Sequence, residues 1–186
     1  MSLLSCVILI VFLLVILCLT WFGLYHFARD IAQGIWWYGI PYIHTPENKI
    51  HAVLCNLNLK EWDVFIDIGC GDGKLLEAVK MKFPNTQVIG YEKSYRPYQD
   101  AERRKELNWL DYELRNRDFF TSDISNATVL YSYMINYIME KIWEKVQKEC
   151  QPWTLLYSNS FRVKSYEPKS TIELSKSAKI FIYEVP

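Results

Sequence analysis

The sequence has no excess of charge of either sign: 21 Lys and Arg stand against 21 Asp and Glu, a formal net charge of zero. Without a basic surplus there is no reason to expect nucleic acid as a partner, because such binding is driven largely by neutralising phosphates. No Cys-x-x-Cys pair occurs among the 5 cysteines; Cys6 and Cys18 fall in the amino-terminal segment, and Cys55, Cys70 and Cys150 are scattered. That spacing suggests neither a zinc site nor a disulfide framework. Charge is absent altogether from Ser2 to Phe27, where "LLSCVILIVFLLVILCLTWFGL" is almost wholly aliphatic. No Lys or Arg precedes this run, and it exceeds the ~7–15 apolar residues of a cleaved leader, which favours a retained anchor.

What is there begins with that run. A helix needs about 20 apolar residues to cross a hydrocarbon core roughly 30 Å thick. Residues 1–28 are therefore expected to form a transmembrane signal anchor. Arg29, Lys49 and Lys60 follow it, so the positive-inside rule puts the carboxyl-terminal bulk on the cytoplasmic side, or on the matrix side in an organelle. Trp21, Phe22, Tyr25, Phe27, Trp36, Trp37 and Tyr38 are of the types that sit at headgroup level or pack such a helix. Residues 29–48 thus read as a juxtamembrane aromatic segment, interrupted by Pro41 and Pro46.

From residue 49 to 186 strands and helices alternate. "IHAVLCNLNL" predicts a helix with Ile50, Val53, Leu54 and Leu57 on one face. "DVFIDIG" is a buried strand, residues 73–83 a helix, and "TQVIGYE" a second strand. Ser94 is placed to cap a helix ending near Asn108. "DYELRNRDFF" and "ATVLYSYM" read as strands, and Ile138, Ile142 and Val146 mark the buried stripe of the next helix. "TLLYSNSF" is a fifth strand, and "STIEL" with "AKIFIYEV" forms a closing hairpin. This alternation predicts an α/β, Rossmann-like, open and largely parallel sheet with helices on both faces. Ligands of such sheets bind outside the carboxyl ends of the strands.

Gly69, Gly71 and Gly73 lie at that edge, in "DIGCGDG". An ATPase-type phosphate loop needs GxxxxGK followed by Ser or Thr, but Ile68 stands at the first glycine and Leu75 follows Lys74. A dinucleotide fingerprint needs its third glycine one residue after Gly73. What is matched is an acid, Asp67, ahead of GxGxG, with Cys70 between the first two glycines: the pattern of an S-adenosylmethionine (SAM) site. "GYEKS" brings Glu92 and Lys93 to the same edge, where a carboxylate can accept from both ribose hydroxyls. In "NRDFF", Asp118 can accept from the adenine amino group and Phe119 can lie against the ring. Read as ordinary structure, Glu92 is a surface acid and Asp118 a helix cap.

The region from about Tyr38 to Val185 resembles a class I (seven-strand) SAM-dependent methyltransferase. "DIGCGDG" and "GYEKS" carry the class. The amino-terminal span, "GIPYIHTP" and the short path from "LLYSNSF" to the last hairpin resemble a narrower group. Those are the membrane-anchored lysine methyltransferases of the ATP synthase c subunit and the adenine nucleotide translocase, with their small prokaryotic relatives. The resemblance implies that Tyr42 and Thr45 fold over the cofactor. His44 departs from the family's usual proline, and "LYSYMINY" lacks its typical residues after strand four.

Methyl transfer from a sulfonium is an in-line displacement that asks the protein for alignment and desolvation, and no metal is expected. Tyr131, Tyr133 and Asn159, at the ends of strands four and five, are the expected acceptor-binding residues; no catalytic base is named. Three functions fit: a membrane-tethered protein-lysine methyltransferase, a small-molecule or lipid methyltransferase, and a SAM-binding protein without catalysis. The intact loop and Glu92 argue against the third. An open edge without inserted capping domains suits a protein substrate at or near the membrane.

Overall fold

The computed structural model describes residues 3–36, 44–175 and 178–186. The chain divides into two compact units, Met1–Pro41 and Tyr42–Pro186. Among its described residues the first contains the helix α1 (Leu3–Trp36). Its side chains are described at residues 10–26 and 28, and Leu13, Leu17, Trp21, Phe22 and Tyr25 among them are exposed. Over the described residues no helix is long and apolar enough to cross a membrane.

The second unit is an α/β sandwich. Its elements run α2 (Glu47–Asn56), β1 (Val64–Ile68), α3 (Lys74–Lys82), β2 (Gln87–Tyr91), α4 (Tyr95–Leu107), β3 (Glu113–Arg115), β4 (Val129–Ser132), α5 (Asn136–Glu149), β5 (Leu155–Asn159), β6 (Ser170–Glu173) and β7 (Lys179–Glu184). The seven strands form one sheet in the order β3-β2-β1-β4-β5-β7-β6. All pairs are parallel except those of β7 with β5 and β6. The order reverses beside β1, so the loop after β1 opens at the sheet's switch point.

β1 is buried along its whole length and apolar at every position but Asp67, because both of its faces are covered. Side chains alternate across a strand: Val64, Ile66 and Ile68 join the core with Trp143, Ile142 and Val146 of α5. Phe65 faces the other way, toward Val53 of α2 and Leu76 and Val79 of α3. Gly90 of β2 keeps that second layer close. A Cβ there would overlap Leu76 Cδ1 and come within 2.8 Å of Cys70 Sγ.

Three local expectations change. The helix expected from Ile50 starts earlier, after Pro46, and stops at Asn56, with Leu57 turning to extended backbone. The third strand is cut to Glu113–Arg115, because the Asn116 side chain donates to the Glu92 carbonyl at 2.8 Å and Asp118 then opens a 3-10 turn over Phe119–Thr121. Ser94 takes the cap position of α4 but its hydroxyl makes no capping bond.

Candidate functional site

The loop is built from β1 outward. The Gly69 and Cys70 amides both donate to the Tyr91 carbonyl, at 2.8 and 3.0 Å, so the chain folds back over the end of β2 as it leaves β1. Gly69, Gly71 and Gly73 have φ of 74°, 56° and 76°, left-handed values that cost about 1–2 kcal/mol for residues with a Cβ. The sequence places glycine at each of these turns. A Cβ on Gly73 would also press on Ala101 at 3.1 Å, which is how the loop seats against α4.

Carboxylates hold the loop. Glu92, 8 % exposed, accepts from the Gly71 amide at 3.0 Å through one oxygen and from the Ser94 amide at 2.6 Å through the other. The second bond ties the cap residue of α4 to the end of β2. Asp72 is met by His44 Nδ1 at 3.4 Å and Arg104 at 3.3 Å, and Arg104 also donates to the Asp72 carbonyl at 2.8 Å and to Glu77 at 3.0 Å. Asp67 lies beneath the loop, buried. Burial first, then repulsion from Glu92 and Asp72, holds its carboxyl well above the usual aspartate range. Burial likewise pushes the Cys70 thiol up, with Asp67 and Glu92 adding to it, which leaves a packing residue rather than a nucleophile.

Of the expected cofactor residues, Asp67, Gly69, Cys70, Gly71, Gly73 and Glu92 gather at the loop. Lys93 and Asp118 are joined by an ion pair of 3.1 Å at its flank. Asp118 also accepts from the Phe120 amide at 3.0 Å, the cap role open to it from sequence. Phe119 sits in the core, its ring edge-on to Tyr91 at 5.8 Å, while the adjacent Phe120 is exposed. Thr45 bonds to the Tyr131 hydroxyl; Tyr42 lies outside the described residues. These residues fit SAM. Left-handed glycines admit a ligand to the main chain, and a carboxylate with both oxygens at the strand ends suits a diol.

The acceptor side adjoins β4 and β5. Tyr131, buried, accepts a 2.7 Å hydrogen bond from Asn159 Nδ2. Burial raises its hydroxyl's pKa, with Asp67 adding to the effect. The half-buried Tyr133 pairs with Phe161 at a ring distance of 6.0 Å. Two residues missed from sequence complete the cluster. Lys49 donates to Ser160 Oγ at 2.8 Å and to the Tyr133 hydroxyl at 3.3 Å, and Ser160 donates to Asn159 Oδ1 at 2.8 Å. Ser160 has φ of 66°, and no glycine marks that turn. Met134, also missed, packs on Gly69 where a Cβ would stand.

Residues 67–170 match the ANTKMT methyltransferase domain. A protein-lysine N-methyltransferase of Saccharolobus islandicus is 28% identical over 137 residues, which cover 73% of this chain and 85% of the relative. An RNA methyltransferase from Salinibacter ruber, solved in complex with S-adenosyl-L-homocysteine, superposes with a TM-score of 0.71 at 23% identity, over 77% of this chain and 94% of that one. A methyltransferase from Pyrococcus furiosus gives 0.57 at 16% identity, over 86% and 95% of the two chains. At such identities these two structures show a shared fold.

Proposed function

This chain belongs to the ANTKMT methyltransferase family and is a SAM-dependent methyltransferase of class I; from that premise we propose that it methylates lysine side chains of a protein at or near a membrane, to which its amino-terminal apolar helix tethers it. The observation that carries the acceptor class is the kinship with a protein-lysine N-methyltransferase across most of both chains. The Tyr133–Phe161 pair beside the glycine loop agrees with it. Aromatic walls disfavour a charged ammonium through desolvation and so help a lysine lose its proton. Tether and orientation rest on the charge-free run from Ser2 to Phe27 and the basic residues after it, which favour a cytoplasmic (or matrix) catalytic unit.

When bound, SAM supplies an activated methyl on a sulfonium. The chain's own residues do the rest. The glycine turns and Glu92 would hold the donor's main-chain and ribose contacts, and Asp67 lies buried beneath the loop. Tyr131, fixed by Asn159 and Thr45, and Tyr133 orient the incoming amine and exclude water.

The test is labelled methyl transfer into a membrane extract, with protein and lipid then separated, using the full chain and a chain lacking residues 1–28. Label in protein, at lysine, supports the acceptor class; label in lipid overturns it. SAM affinity should survive the truncation while transfer falls, because tethering to one membrane commonly raises effective concentration ~100-fold or more. Equal transfer by both forms would end the tether proposal.

A further inference from the structure

We propose that Lys49 is itself a methyl acceptor, modified in cis by the unit that carries it. The inference rests on the lysine reading above. Lys49 lies in the first turn of α2, which starts beside the carboxyl edge of the sheet. Its ammonium is 4.5 Å from the centroid of the Tyr133 ring and bonded to the Tyr133 hydroxyl and Ser160. These residues touch or are next in sequence to the three expected to receive an acceptor, Tyr131, Tyr133 and Asn159. The amine therefore already occupies the ground that a substrate lysine must enter.

Two further observations point the same way. Among the described residues no carboxylate pairs with Lys49; its partners are two hydroxyls and a ring. Leaving these neutral partners breaks no ion pair. The site is also next to the donor loop. β4 is the direct neighbour of β1, with Ile68 opposite Ser132, and adjacent strands lie about 4.8 Å apart. Met134, the residue after Tyr133, packs on Gly69 itself. Lys49 is thus linked to the loop through Tyr133 and its neighbour Met134, and its four-carbon side chain can swing toward the donor.

The step balances without a further reagent. The ammonium first loses a proton to solvent. The Nζ lone pair then forms the N–C bond as the C–S bond breaks, and its electrons pass to sulfur. A secondary ammonium and neutral S-adenosylhomocysteine result.

The experiment incubates the purified full chain with methyl-labelled SAM and no other acceptor, then maps the label by peptide mass spectrometry. Label on Lys49, formed at a rate per enzyme molecule that does not change on dilution, is the expected result. Lys49→Arg should lose that label entirely, and mixing Lys49→Arg with Gly71→Val should leave Lys49 of the latter unlabelled. Transfer between molecules in that mixture overturns the in-cis geometry. A membrane extract is assayed in parallel: protein lysines labelled while Lys49 stays bare overturn this inference alone. Label on neither overturns the lysine reading with it.

Discussion

Replacing Glu92 with alanine should damage cofactor binding and loop stability together. Both carboxylate oxygens are engaged by main-chain amides, Gly71 at 3.0 Å and Ser94 at 2.6 Å, in a side chain that is almost fully covered. A hydrogen bond to a charged group is worth about 1.5–3 kcal/mol. Losing one such interaction with the ribose weakens S-adenosylhomocysteine by a factor of ~10 to ~150, since about 1.4 kcal/mol is tenfold. Unbound protein loses the loop contacts as well. For a chain of this size a loss of 1 kcal/mol lowers Tm by about 2–4 °C, so a fall of several degrees without ligand is expected. Glu92→Gln, which keeps one acceptor oxygen, should fall between wild type and Glu92→Ala in both readouts. Isothermal titration calorimetry with S-adenosylhomocysteine and thermal melts of the ligand-free protein measure the two effects. Unchanged affinity in Glu92→Ala would place the ribose elsewhere; unchanged Tm would refute the reading of Glu92 as the brace of the loop.

Gly71→Val puts a branched side chain at φ 56° on the donor-facing turn and should abolish SAM binding; titration calorimetry showing wild-type affinity would refute the site. Asp67→Asn should raise stability at neutral pH. Burial and the neighbouring acids favour the protonated carboxyl in the fold, so the wild-type side chain is at its best below the unfolded aspartate value of about 3.9. Its contribution is lost as pH rises through the higher folded value. Melts across pH should therefore show the variant's advantage shrinking toward acid, and a constant or inverted difference would contradict the assignment.

The glycine loop was legible because its geometry is local. Asp67 to Gly73 are consecutive, their turns demand glycine, and the apolar run of β1 announces the edge on which they sit. The largely parallel sheet followed from the alternation of strands and helices, and its antiparallel end from the closing hairpin. The third strand was overread, since the pattern through Arg117 is extended in composition. What ends it is the Asn116 amide reaching the Glu92 carbonyl, 24 positions away in the chain. Ser94 does stand at the cap of α4, as its type and position suggested, without a capping bond from its hydroxyl. The acceptor half was only partly legible. Tyr131, Tyr133 and Asn159 could be placed at strand ends, but Lys49 meets Tyr133 across 84 positions and Ser160 across 111. Such contacts exist only once α2 is packed on the sheet.

The charge around the loop ties these parts to the reaction. Asp67, Asp72 and Glu92 act on one another closely enough for two of them to raise the proton affinity of the third. Arg104 and His44 meet Asp72, while the bonds that Glu92 accepts come from uncharged amides. Among the described residues, cationic groups thus meet Asp72 but not Glu92. A sulfonium donor brings a positive charge, and in a site with little water that attraction is stronger than in bulk solvent. Methyl transfer removes the positive charge from sulfur, so the spent donor no longer answers the field of the loop. The acids that make the unliganded loop costly therefore favour the reactive form of the cofactor over its product.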